Sequence, residues 1–251
     1  MSYYLDIVKQ KDKGIFITHE GYAKEVIKKF KMDDFNPVNT PMECGIQLSR
    51  CEEGERVYLT LFKSLARSLR YLTCTRLDIL YTVGVINHFM EKPITTHLKA
   101  TKRILRYIKG MINYNLYYFV SDNYKLLGYS DSDWSRDVDD YKSITGFVFY
   151  MGDTAFTWMS KKQQIVTLST CEAKYVVVIS CICHAIWLRN LLLELELPQE
   201  EPTKTFVDNK STIALAKNPV FYNRSKHIDM RYHYIRKCIK KGCATRVCED
   251  S

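Results

Sequence analysis

The sequence is poor in the features that mark several protein classes. Its 251 residues contain only 10 Gly and 6 Pro, which excludes collagen-like and Pro-rich linker architectures. The nine Cys form no Cys-x-x-Cys pair, so the spacing of a zinc knuckle or ribbon is missing. No window approaches the ~20 uninterrupted apolar residues of a membrane span, and the opening segment MSYYLDIVKQKDKG lacks the apolar core of a secretory signal.

The cysteines and the absent signal together indicate a compartment. The number of cysteines is odd, and Cys181 and Cys183 lie within an apolar helical run, which is typical of buried free thiols in a reducing environment. We therefore expect an intracellular protein of the cytoplasm or nucleus that is not secreted.

The composition favours a folded, basic protein. Hydrophobic residues make up 46% and aromatic residues 13% of the chain, so a wholly disordered chain is not expected. Lys and Arg number 37 against 28 Asp and Glu, which gives a formal net charge of +9. Such a charge suits a polyanionic partner, either nucleic acid or an anionic membrane surface, and does not by itself choose between them.

The hydrophobic pattern changes near residue 122 and predicts two parts, 1–122 and 123–251. The first part is mainly helical, with two strand-like runs at its start, a helical zone in 59–90 that breaks near 73–78, and a basic helix that ends at Gly110. The second part follows the order strand, strand, strand, helix, strand, helix, helix. This order predicts an α/β fold with a mixed sheet flanked by helices.

Two further expectations concern the second part and the basic helix of the first. The long apolar run 169–197 predicts a buried helix, with Trp187 in the core. In the basic helix, five cationic side chains share one face, since each lies three or four residues from another: Lys99, Lys102, Arg103, Arg106 and Lys109. Such a stripe can track phosphates, and it is equally compatible with an ordinary solvated helix face.

Four acidic residues lie where an element begins or ends: Asp131, Glu172, Asp208 and Asp229. Each has an ordinary structural explanation. Asp131 fits a polar turn, Glu172 fits a capping box with the Ser169 amide, and Asp208 or Asp229 fits the N-terminus of the helix beside it.

Taken together, the four acids allow a different interpretation. Sites in open α/β sheets gather at strand ends and at neighbouring helix starts, where four carboxylates would repel one another unless cations intervene. Two Mg²⁺ or Mn²⁺ ions would remove that repulsion and could support phosphodiester hydrolysis. Basic residues around the acids would bind the nucleic-acid backbone, among them Lys162, Arg224, Lys226 and Arg231.

A resemblance to a known family covers almost the whole chain. Four runs of the second part resemble the ribonuclease H domain of copia-type retrotransposon Pol polyproteins: GYSDSDW, DDYKSITGFVFYMG, WMSKKQQIVTLSTCEAKY and FVDNKSTIALAKNPVFYNRSKHIDMRYHYIR. Four runs of the first part are similar to the end of the palm, the thumb and the connection of the reverse transcriptase in the same polyproteins: YYLDIVKQKDKGIFITHEGYAKEVIKKF, NPVNTPM, SLRYLTCTRLDILYTVGVINHFM and HLKATKRILRYIKG.

The resemblance implies a ribonuclease-H-like mixed sheet in 123–251 and a reverse-transcriptase remnant in 1–122. It implies hydrolysis of the RNA strand in an RNA–DNA hybrid with two Mg²⁺ (or Mn²⁺) ions, and the rest of the polymerase as a further partner. It places the catalytic and metal-binding acids at Asp131, Glu172, Asp208 and Asp229. Nucleic acid is therefore the expected partner, and a membrane is not; the sequence leaves the oligomeric state open.

The chain also departs from the family pattern. The paired-aspartate strand of the polymerase is absent from the sequence, so DNA synthesis is not expected. The family motif EAEY is EAKY here, and Lys174 is expected to project away from Glu172 on the helix with little harm. Val176, Val177 and Val178 replace small residues and would overpack the helix at ~1–3 kcal/mol. After Gly242 the family pattern stops, and the segment CATRVCEDS is interpreted as an unrelated or frameshifted tail.

Three hypotheses follow. The chain is a ribonuclease H, a catalytically inactive nucleic-acid-binding remnant of the same fold, or a secreted effector. The last rests on Arg67-Ser68-Leu69-Arg70, which matches the RxLR pattern of oomycete effectors. A four-residue pattern occurs often by chance, and the polymerase resemblance already covers this segment.

Overall fold

The computed structural model describes residues 8–120, 124–217 and 245–249. The chain divides into two compact units. Unit 1 comprises Met1–Val120 with Asp137–Asp139, and unit 2 comprises Ser121–Arg136 with Asp140–Ser251. The identity of unit 1 as a reverse-transcriptase remnant stays a prediction.

Unit 1 contains a small antiparallel sheet. Its strands, in spatial order, are β1 (Val8–Lys11), β2 (Gly14–Ile17) and β3 (Leu116–Phe119). The third strand was not predicted from the sequence. Gly14 stands opposite Phe119, and a Cβ atom at Gly14 would lie 2.1 Å from the Tyr118 carbonyl oxygen, so the pairing requires glycine there.

The helices of unit 1 enclose its core. They are α1 (Glu20–Lys29), α2 (Leu59–Leu72), a 3₁₀ turn (Leu77–Ile79), α3 (Leu80–Asn87) and α4 (Thr95–Gly110). Phe62, Leu69, Ile86 and Ile104 are fully buried between them. The predicted break of the helical zone near 73–78 is confirmed, since α2 ends before it and α3 begins after it.

Unit 2 is built on a five-stranded mixed sheet. Its strands are β4 (Leu126–Asp133), β5 (Ile144–Met151), β6 (Thr154–Lys162), β7 (Thr203–Val207) and β8 (Thr245–Glu249). The spatial order is β6-β5-β4-β7-β8, with β4, β5 and β6 antiparallel and with β7 parallel to both β4 and β8. Helices α5 (Thr170–Glu194) and α6 (Lys210–Lys217) belong to the same unit. The predicted mixed sheet with flanking helices is confirmed.

The edge strand β8 lies in the C-terminal tail. Part of the tail that was interpreted as unrelated forms this strand, and its register with β7 runs from Thr203↔Thr245 to Val207↔Glu249. Val247 is 2% exposed and packs in a core cluster with Val178 and Val207. Residues Thr245–Glu249 are therefore part of the fold, whatever the origin of the tail.

Helix α5 packs along the sheet. Val176, Val177 and Val178 are all buried, at 9%, 0% and 0% exposure. Among the described residues α5 is the one helix long and apolar enough to cross a membrane, a property that no sequence window suggested. Half of its apolar window is buried inside unit 2, as in the core helix of a folded unit.

The outer side of α5 overturns two expectations about burial. Trp187 is 55% exposed and Cys183 is exposed, although both were expected in the core. They lie four residues apart, on one stripe of the helix that faces away from the sheet. Cys181 is fully buried, and its burial raises the pKa of its thiol well above the ordinary value. The seven cysteines within the described ranges are free thiols.

Candidate acidic site at the ends of β4 and β7

The register of two parallel strands brings Asp131 and Asp208 together. Tyr129 of β4 pairs with Phe206 of β7. Asp131 follows Tyr129 by two residues within β4, and Asp208 follows Phe206 by two residues, directly after β7. Neighbouring strands lie ~4.8 Å apart, so the two carboxylates meet at the same end of the sheet. Asp131 is 76% and Asp208 53% exposed at the side chain, so both face solvent.

An ammonium group lies between these two carboxylates. Lys174 Nζ is 3.2 Å from Asp131 Oδ1 and 2.5 Å from Asp208 Oδ1, and it also contacts Asp208 Oδ2. Burial of the Lys174 side chain, which is 15% exposed, acts to lower its pKa. The hydrogen bonds to Asp208 and Asp131 and the charges of both acids together outweigh this effect, so the pKa of Lys174 lies above its ordinary value. Lys174 is therefore a cation at neutral pH.

Glu172 takes part in the N-terminal cap of α5. Ser169 Oγ accepts a hydrogen bond from the Glu172 amide at 3.2 Å, and Glu172 Oε2 accepts one from the Leu168 amide at 2.8 Å. This is the predicted capping arrangement, with the Leu168 amide in place of the Ser169 amide.

The helix geometry explains why position 174, rather than position 172, faces the aspartates. Residues two apart on an α-helix point ~200° apart around its axis. Lys174 projects away from Glu172 as expected, but this direction carries it to Asp131 and Asp208. The position of Lys174 therefore does not support the expectation that this lysine does little harm to the acidic site.

Gln163 fixes the start of α5 against the sheet. Its Nε2 lies 3.0 Å from the Ala173 carbonyl oxygen, 3.1 Å from Thr145 Oγ1 and 3.3 Å from Ser132 Oγ. The side chain is buried, with 6% exposure. Because Ala173 and Ser132 immediately adjoin Lys174 and Asp131, Gln163 holds those two residues in register. Sequence reasoning missed it, since a glutamine after a strand carries no signal of burial.

Asn209, rather than Asp208, caps helix α6. Asn209 Oδ1 accepts a hydrogen bond from the Thr212 amide at 2.8 Å, which satisfies one of the unpaired amides at the helix N-terminus. The structural explanation offered for Asp208 is therefore wrong, and its carboxylate is directed to Lys174 instead.

The described residues do not fit a divalent metal ion at this edge. Within 8–120, 124–217 and 245–249, no three His, Cys, Asp or Glu side chains are grouped in a way that could hold one. Mg²⁺ requires oxygen ligands around it, and the oxygens of Asp131 and Asp208 contact an ammonium instead. Asp229, the fourth predicted acid, lies outside the described residues, and its part in the site stays a prediction.

Part of the basic face of α4 is committed to contacts within unit 1. Arg103 Nη1 donates to Glu43 Oε1 at 2.9 Å, and Arg106 Nε donates to the Asn36 carbonyl oxygen at 2.7 Å. Both contacts hold the irregular connection between α1 and α2. These two arginines are therefore less available for phosphates than the helical spacing indicated.

The other predicted phosphate-binding residues differ in their surroundings. Lys99 is exposed and Lys102 is half-buried. Lys162 forms an ion pair with Asp140 at 2.8 Å and has only 15% of its side chain exposed. Three lie outside the described residues: Arg224, Lys226 and Arg231.

Comparison with known proteins places the chain among transposon polyproteins. No protein-family model matches it. The retrovirus-related Pol polyprotein from transposon RE1 of Arabidopsis thaliana is 35% identical over 243 residues, which are 96% of this chain and 17% of the relative. The chain thus spans about a sixth of the length of that polyprotein.

Two further similarities are less extensive. Secreted RxLR effector protein 161 of Plasmopara viticola is 37% identical over 128 residues, 51% of this chain and 90% of that protein. In this chain the RxLR pattern lies inside α2, with Leu69 fully buried. The crystal structure of LC11-RNase H1 in complex with an RNA/DNA hybrid matches 50% of this chain and 85% of that chain, with a TM-score of 0.33 and 11% identity. That level of similarity determines neither fold nor function.

The relationship to the transposon polyproteins extends over nearly all of both units, at an identity that several of these polyproteins share. The chain therefore belongs to the family of copia-type retrotransposon Pol polyproteins.

Proposed function

We propose that this chain binds an RNA–DNA hybrid through unit 2 and does not hydrolyse it. The observation that carries the proposal is the Lys174 ammonium between Asp131 and Asp208. Family membership supports the choice of nucleic acid as the partner, and the formal net charge of +9 supports binding to a polyanion.

The ammonium has opposite consequences for hydrolysis and for binding. Two-metal hydrolysis of a phosphodiester uses divalent ions to activate a water and to stabilise the departing oxygen. An ammonium has no open coordination position, so it cannot bind a water and activate it as a divalent ion does. It does neutralise one of the two carboxylates, which lowers the repulsion that a phosphate would meet at this edge.

The hydrolytic function that the resemblance implies remains the competing candidate. It would use Asp131, Glu172, Asp208 and Asp229 to hold two Mg²⁺ or Mn²⁺ ions. The adjacency of Asp131 and Asp208 on parallel strands favours it, whereas the capping role of Glu172 and the position of Lys174 oppose it.

The test incubates the full chain with a fluorescently labelled RNA–DNA hybrid, with and without Mg²⁺. We expect binding by fluorescence anisotropy that is independent of Mg²⁺ and weakens at least about tenfold between about 50 and about 200 mM salt, because phosphate contacts release counterions. We expect no cleavage products on a denaturing gel.

The control is Asp208→Asn, which removes one carboxylate of the site. Binding should be kept in this variant. Mg²⁺-dependent cleavage by the wild-type chain that Asp208→Asn abolishes would establish the hydrolytic function instead. A chain that neither binds nor cleaves the hybrid would refute both.

A further inference from the structure

We infer that Lys174 is a built-in cation that takes the place of a divalent metal between Asp131 and Asp208, and that position 174 decides whether this edge accepts a metal ion. The inference rests on the proposed function and deepens it, because it explains why the chain would bind the hybrid without hydrolysing it. It concerns metal binding, which can be measured without any nucleic acid.

The first argument is the geometry of the contacts. Lys174 Nζ contacts oxygens from two different strands, Asp131 on β4 and Asp208 directly after β7. An ordinary surface ion pair joins one cation to one carboxylate and is exposed on both sides. Here the cation is 15% exposed at the side chain, whereas the two acids are 76% and 53% exposed. The lysine is thus the most buried of the three side chains, and its ammonium reaches both acids from the side of the helix.

The second argument is electrostatic. Parallel pairing of β4 and β7 places two carboxylates at the same level of adjacent strands, where they repel each other unless a cation lies between them. In an acidic site of this kind, a divalent ion would normally supply the positive charge. Lys174 supplies it from within the chain, so the pairing of the strands needs no metal.

The third argument is that the backbone determines the position of Lys174. The Ser169 cap defines where α5 begins, and the bond from Gln163 to the Ala173 carbonyl holds the adjoining residue against the sheet. Position 174 therefore faces the aspartates whatever its side chain. A carboxylate at this position would bring a third set of oxygens to the two that are already there.

The experiment compares wild type with Lys174→Glu in the full chain, without nucleic acid. Mn²⁺ binding is measured by isothermal titration calorimetry and by the loss of the free-ion signal in electron paramagnetic resonance. We expect Lys174→Glu to bind Mn²⁺ at least about tenfold more tightly than wild type, since it adds a carboxylate and removes a competing cation. The thermal midpoint of Lys174→Glu should fall without metal and recover with Mn²⁺, whereas that of wild type should not respond.

The controls separate this site from other acids in the chain. Lys161→Glu makes the same charge change at an exposed position on β6 and should leave Mn²⁺ binding at the wild-type level. Adding Asp208→Asn to Lys174→Glu should abolish the gain. If Lys174→Glu does not fold, Lys174→Gln is used, which removes the cation alone and should also tighten Mn²⁺ binding.

Two results would overturn the inference. In the first, wild type binds Mn²⁺ as tightly as Lys174→Glu does, and Asp208→Asn removes that binding. In the second, Lys174→Glu folds and its Mn²⁺ affinity equals that of Lys161→Glu. Loss of hybrid binding would count against the proposed function, and it would leave these metal measurements unaffected.

Discussion

Three charged side chains define the edge formed by β4 and β7. Asp131 and Asp208 resemble the beginning of a metal site, and a single lysine changes what they can do. Glu172, which the sequence motif indicated as their partner, bonds to the backbone at the start of α5 instead. The chemistry of the edge therefore depends on which side chain position 174 of α5 carries, because position 172 points away from the two aspartates.

Gln163 gives a prediction at this scale. Gln163→Ala removes a buried amide that contacts three acceptors in two strands and one helix, and leaves the Ala173 carbonyl without that donor. We expect the free energy of unfolding to fall by about 1–3 kcal/mol in urea denaturation. The matched control is the exposed neighbour Gln164, whose change to alanine should cost less than about 0.5 kcal/mol. Equal losses in the two variants would refute a special role for Gln163.

Among the elements of unit 2, the edge strand β8 was the least expected. It completes the mixed sheet with residues that carry no family pattern, because a short strand needs only β-compatible side chains and a partner with unpaired backbone groups. Alternation places Val247 in the core and leaves Arg246 exposed. The buried side of this strand is thus set by its register with β7.

This alternation predicts a contrast between neighbouring positions. Val247→Asp would bury a carboxylate among Val178, Ile182 and Val207 and should lower the free energy of unfolding by more than about 2 kcal/mol. Arg246→Asp introduces the same residue on the exposed side and should have a much smaller effect. Thermal and urea unfolding of the two variants provide the measurement. If both variants matched wild type, β8 would not be part of the core.

Across the whole molecule, the two units form their cores in different ways. Unit 1 encloses its core with helices and holds two buried histidines, whereas unit 2 relies on a mixed sheet with α5 packed against it. His19 bonds to Thr75 Oγ1 at 2.6 Å, and His97 stacks on Phe89 with ring centroids 3.9 Å apart. These histidines make the stability of unit 1 sensitive to pH.

The direction of that pH dependence follows from burial. Burial lowers the pKa of both His19 and His97 from 6.5, because the charged imidazolium loses its hydration. The unfolded chain then binds more protons than the folded one, so the stabilisation present above pH ~6.5 is lost as the pH falls through the folded-state pKa. Urea denaturation at several pH values between about 7.5 and 5 should show falling stability. His97→Gln should flatten this dependence, and an unchanged slope would refute the assignment.

The sequence determined the mixed sheet of unit 2 and the helical zone of unit 1, and it indicated that Asp131 and Asp208 lie at strand ends. These features follow from local periodicity and from the order of elements along the chain, and both can be read without coordinates. The tail strand and the third strand of unit 1 could not be predicted, because short strands are stabilised by partners distant in sequence.

Only the tertiary structure decided what the acidic edge contains. The motif indicated Glu172 as a ligand and Lys174 as a bystander, because sequence spacing does not say which side of α5 rests on the sheet. The packing of α5 against β4 and β7 turned Lys174 toward both aspartates and left Glu172 to the helix cap. In the same way, the fold drew Arg103 and Arg106 into contacts within unit 1. A side chain's role depends on the partners it meets, and here those partners come from distant parts of the sequence.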